Sequence, residues 1–96
     1  MGKLLYGSPP ESFEMDDRTL AHVEIVILAK LRRNEAFALL IDRPNGGRST
    51  IWINAASTLH FLFEKSAHEI NRAWLEDLIE SANGSAGMRV LPEVTA

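Results

Sequence analysis

Four groups of residues in this chain have types and spacings that could do chemistry, and each implies something different. Asp16-Asp17 could hold a cation or open a helix; N-capping and the favourable charge at a helix start account for both carboxylates. His22, His60 and His68 show no metal-ligand spacing, so no metal site is expected. Gly46-Gly47-Arg48-Ser49-Thr50 resembles a phosphate-binding loop. A true loop of that kind begins with a Gly four residues ahead of a Gly-Lys pair and runs into a helix. Here position 42 is Asp, Arg48 stands for Lys and a strand pattern follows, so the segment reads as a hairpin turn. Serine, histidine and aspartate are all present, but no nucleophile-elbow sequence is. No catalytic residue and no cofactor are assigned, and a non-enzymatic chain is expected.

The fourth group is a pair of polar residues on apolar stripes. At 100° per residue Glu24 falls between Leu20, Ile27, Leu28 and Leu31, and Asn71 falls beside Ile70, Trp74, Leu75 and Leu78. Both are expected to be buried. Burial requires partners: each other, or Arg72 or the Trp74 indole N–H for Glu24, in a bond that sets how two helices dock. His22 is placed on the polar side of its helix with Arg18 and Arg33.

These residues need elements to position them. Lys3–Tyr6 predicts a short strand stopped by Gly7-Ser8-Pro9-Pro10, and Ser12–Met15 a second. A helix is predicted from the Asp16-Asp17 cap to about Arg33, with basic residues at its end and Asn34 closing it. Its β-branched residues, Val23, Ile25, Val26 and Ile27, favour strand, but the caps and the length decide for helix. Alternation then predicts strands at Ala36–Ile41, Arg48–Asn54 and Thr58–Glu64, with Asn45-Gly46 turning the first pair. A second helix over His68–Ala82 and a final strand over Met88–Val94 complete an α+β domain. The order is β(β)αβββαβ: a mainly antiparallel sheet with a central three-stranded meander packed against two helices.

With 96 residues, 46% of them hydrophobic and 24% charged, the chain fits a single domain, 1–96. A net charge of -3 gives no global attraction to nucleic acid or anionic membrane. Without cysteine there is no disulfide framework and no thiolate chemistry. The longest apolar run, Ile25–Ala29, is far too short to span a bilayer, and no signal-peptide pattern opens the chain. A cytoplasmic protein without membrane contact is expected.

Asp16-Asp17-Arg18-Thr19-Leu20-Ala21-His22, Lys30 through Glu35, Gly47 through Trp52, Ile70 through Glu76 and Ser81-Ala82-Asn83 together resemble a family of small actinobacterial proteins of unknown function. That family often carries the automatic label "ATP-dependent DNA ligase". The resemblance spans nearly the whole chain. It departs at residues 54–58, where the family tends to have a His-Pro-Ser-type segment, and at residues 64–68, which replace a Ser/Arg/Pro-rich loop. The label fails on chemistry: such ligases form a lysyl adenylate from Lys-x-Asp-Gly, and none of Lys3, Lys30 and Lys65 lies in that motif.

Surfaces carry the remaining signal. Leu40, Trp52, His60 and Leu62, with Thr50, are expected on the sheet face away from the core, an apolar aromatic patch of the kind that marks interaction sites. Ile25, Val26 and Ala29 lie off the main helical stripe and predict a homodimer interface. The chain therefore reads as a non-catalytic, self-associating interaction module with an unknown protein partner. The alternative is a nucleic-acid-binding accessory factor linked to DNA metabolism, stacking bases on Trp52 and His60 and holding phosphates with Arg43 and Arg48.

Overall fold

Among the described residues, alternating apolar residues and turn-forming interruptions build six strands and two helices in the order ββαβββαβ, an α+β fold. The structure, a computed structural model, describes residues 1–93. β1 (Gly2–Tyr6) and β2 (Glu11–Met15) form an antiparallel hairpin whose turn begins at Gly7, with φ of +87°. α1 (Asp17–Arg32) follows, and Asn34, at φ 57°, reverses the chain. β3 (Phe37–Asp42) and β4 (Arg48–Ile53) pair antiparallel through the expected Asn45-Gly46 turn. In that turn Gly46 takes φ of +90° and Asn45 Oδ1 accepts the Gly47 amide at 2.9 Å.

The expected meander does not continue into β5 (Leu59–Leu62), which pairs with β1 instead of β4. The result is two three-stranded sheets, β2-β1-β5 and β4-β3-β6. The linker explains the departure. Asn54 and Ser57 close a tight turn on themselves, with Asn54 N–H donating to Ser57 Oγ at 2.9 Å and Ala56 N–H to Asn54 Oδ1 at 2.8 Å. The chain then adds to the apolar strand β1, which places Phe61 opposite Leu4 and Leu59 opposite Tyr6. The Tyr6 hydroxyl ties the sheets together by donating to the Trp52 carbonyl at 2.6 Å.

α2 spans Arg72–Asn83, four residues later than expected, because Asn71 caps it: Asn71 Oδ1 accepts the Trp74 amide at 3.2 Å. β6 is Met88–Arg89, short and parallel to β3. Val94, the last position of the expected final strand, lies outside the described residues. The inner faces of both sheets contribute to one core: Leu4, Phe13 and Met15 from one, Phe37, Leu39, Ile51 and Ile53 from the other. α1 adds Leu20, Val23, Val26 and Ile27, and α2 adds Trp74 and Leu78.

Candidate functional site

The polar residues buried on α1 are His22 and Asp17, not Glu24. His22 is fully buried, whereas Glu24 is half-buried and lines a small cleft of about 190 Å³ with Ile25, Phe63, His68 and Ile70. The helix carries two apolar arcs. α2 docks on the arc containing His22 and Val26, so the core stripe turns away from Glu24.

His22 makes a junction of three segments. Its Nδ1 lies 2.8 Å from the Arg18 carbonyl, so that nitrogen carries the proton and donates; its Nε2 accepts the Asn71 amide at 2.8 Å. The ring stacks on Trp74 with centroids 4.3 Å apart and planes 28° from parallel. The Trp74 indole N–H donates to the Leu91 carbonyl at 2.9 Å, not to Glu24. Asn71 is half-buried as a helix cap, and its side-chain Nδ2 donates to Glu93 Oε2 at 3.0 Å. Arg18 completes the junction with two bonds to Glu93, at 2.9 and 2.8 Å, and one to the Glu69 carbonyl at 2.7 Å. Arg18 and then Asn71 hold the Glu93 carboxyl down from 4.5 to about 2. Each group here is used to hold another, which is the pattern of a structural joint.

Asp17 does comparable work at the other end of the 63–70 segment. It is 8% exposed and accepts the Glu64 and Lys65 amides at 3.1 and 2.9 Å, with His68 Nε2 at 3.2 Å. Burial pushes its carboxyl up, but the Lys65 and Glu64 amides and the His68 ring outweigh that and hold it below its ordinary value. Asp16 occupies the N-cap position of α1 without a side-chain capping bond, so the expected capping carboxylates act differently. The cleft beside them, about 420 Å³, is lined by Asp16, Asp17, Arg18, Glu64, His68 and Glu69 among others. Among the described residues no group of three or more His, Asp or Glu side chains is placed to hold a metal ion.

The outward-facing residues separate into three surfaces. On α1, Val26 is 2% exposed and belongs to the core; Ala29 is half-buried; Ile25 is 38% exposed and Leu28 37%. The outer stripe of this helix is therefore Ala21, Ile25 and Leu28, with Ile70 beside Ile25. On the β4-β3-β6 sheet, Trp52 is 57% exposed, while Leu40 on the same face is buried among its neighbours at 8%. His60 and Leu62 are exposed on the other sheet, so the expected single patch is two. Arg43 is drawn toward β2 by Glu11, at 3.3 Å, and by the Phe13 ring, whereas Arg48 is exposed on the Trp52 sheet.

Sequence reading missed His22, Asp17, Arg18 and Glu93 as partners. Apart from the His22–Arg18 bond within α1, their bonds join residues 22 to 75 positions apart, and no local pattern encodes such pairs. The available signal was for His22 alone, which lies i, i+4 from Val26 on a helix with two apolar arcs. Among the described residues no helix is long and apolar enough to cross a membrane. Comparison with curated proteins and with solved structures returns no match. A family model does match, over residues 1–93, and on that extent the chain belongs to the family described as "Domain of unknown function (DUF7882)".

Proposed function

We propose that this protein is a non-catalytic interaction module that pairs with a second copy of itself through the outer face of α1. The observation that carries the reading is the stripe Ala21, Ile25, Leu28, with spacings of four and three residues, facing away from a core that is complete without it. Such spacing is that of a helix-pairing seam. Ile70 widens the apolar strip. A two-fold antiparallel pairing that sets Ile25 on Leu28 of the second copy places Arg32 opposite Ala21 there. Glu24 of that copy is then within about one turn, 5.4 Å. Arg18, the nearest like charge, is already engaged by Glu93. The helix has its exposed acid, Asp16, at one end and Arg32 and Arg33 at the other, so antiparallel packing opposes unlike charges at both ends.

The test is mass in solution. Light scattering at micromolar concentration is expected to give twice the chain mass for the parent and the single-chain mass for Ile25→Glu. Both are expected to show the same circular dichroism, because Ile25 lies outside the core. A parent that stays single-chain across that range refutes the reading.

A further inference from the structure

The second uncommitted surface lies on the opposite side of the chemistry scale: aromatic and basic. On the outer face of β4-β3-β6, the strand registers set Trp52 beside Ala38 and Thr50 beside Leu40, with Arg89 on the other side of Leu40. Gly87 comes next to Ala38; a Cβ on Gly87 would sit 2.8 Å from the Ala38 carbonyl and 3.1 Å from its Cβ. The row therefore descends from a large indole to a methyl group to no side chain at all. This trough runs into a cleft of about 310 Å³ lined by Trp52 and Ala38 together with Gly84, Ser85 and Gly87, a size that admits a heteroaromatic ring. Trp52 is held in place by its backbone, through the Tyr6 hydroxyl, while its ring is left 57% exposed.

The charges beside the trough are mostly basic. Arg89 is exposed one row along from Trp52, and Arg48 lies four residues away on β4, ~13 Å along the strand. Asp42, opposite Arg48, is the acid on this face, and Lys30 at the cleft is paired with Glu35 at 3.5 Å. An indole at the rim of an open trough, followed by spaced guanidinium groups, matches alternating planar rings and phosphates. Duplex ends this match, because its bases are already stacked on one another.

We propose that this face binds single-stranded nucleic acid, with one base stacked on Trp52 over Ala38 and Gly87 and the neighbouring phosphates held by Arg89 and Arg48. His60 and Arg43 take no part, since one stands on the other sheet and the other is held by Glu11. The net charge of -3 gives the chain no long-range attraction, so binding is local and salt-sensitive.

The experiment titrates a short oligothymidylate into the full chain and follows tryptophan emission, with anisotropy of a labelled strand for the variants. Trp74 is 1% exposed, so quenching reports Trp52. Trp52→Ala is expected to weaken binding about 5- to 150-fold. The slope of log affinity against log salt is expected near ~-1.4 for two phosphate contacts, falling by ~0.7 with either Arg48→Gln or Arg89→Gln. Ile25→Glu is expected to bind each strand as the parent does, which separates this surface from the self-pairing one. No quenching by the single strand, equal binding of duplex or of thymidine monophosphate, or full affinity in Trp52→Ala overturns the proposal.

Discussion

The two tryptophans of this chain have opposite environments. Trp74 is 1% exposed, stacks on His22, and gives its indole N–H to Leu91. Trp52 is 57% exposed, lies in β4 opposite Ala38, and accepts the Tyr6 hydroxyl at its main-chain carbonyl. At Trp74 every polar atom nearby holds some other part of the fold: His22 the start of α2, Arg18 and Asn71 the 91–93 segment through Glu93. At Trp52 the neighbours are Ala38 and Gly87, which leave the ring unopposed. The contrast shows how to weigh an unusual residue in a small domain. A buried ring with satisfied partners explains stability, and a held but uncovered ring is where binding is to be sought.

The contrast breaks most visibly at Trp74. Trp74→Ala is expected to cost about 3–5 kcal/mol, because it opens a cavity at a joint of three segments. Chemical denaturation with an unchanged slope checks this, and a loss below 1 kcal/mol would place Trp74 outside the joint.

Next in size is His22. His22→Phe keeps a ring against Trp74 but strands the Asn71 amide, an expected loss of about 1–3 kcal/mol. Combining His22→Ala, which removes the ring, with Trp74→Ala should give less than the sum of the two losses, since the residues share one contact. Strict additivity in that double-mutant cycle would argue that the stack contributes nothing.

Acid should loosen the same joint. Glu93 is held at about 2 in the fold against an ordinary value of 4.5, so its contribution is complete above 4.5 and is lost as pH falls from there through about 2. The Asp17 carboxyl, also held low, loses its contribution in the same direction. Melting curves across that window should drop more steeply for the parent than for Glu93→Gln, which has no carboxyl left to protonate. Parallel curves would mean the Arg18–Glu93 pair is silent in solution.

The smallest expected effect sharpens the comparison from the other side. Trp52→Ala should change stability by no more than about 0.5 kcal/mol, the range of surface substitutions. A larger loss would mean that the indole packs on something the fold requires.

Much of this architecture was legible where the information is local. Asn45-Gly46 marks a turn through glycine's tolerance of positive φ, alternation marks β3 and β4, and Asn34 marks the end of α1. What was not legible depends on distant partners. β5 alternates as well against β1 as against β4, so its own residues could not choose between two sheets. The phase of α1 was misread because Leu28, expected in the core stripe, is as apolar as Val26, expected outside it, and only the packing of the rest of the fold decides which is covered. The carboxylate that is buried, Asp17, stands where a cap is expected, and its backbone partners at 64–65 carry no side-chain signature. Of the candidate surface residues, Ile25, Trp52 and Arg48 are exposed and take the roles proposed.

The proposal that α1 pairs through the face turned away from its core side is tested most directly by light scattering on three chains. The parent is expected to weigh two chains at micromolar concentration. Ile25→Glu should weigh one chain and melt as the parent does after allowance for lost pairing. Val26→Glu should fail to fold, because Val26 lies in the core at 2% exposure. A parent of single-chain mass, or an Ile25→Glu variant that keeps the double mass, would contradict the claim.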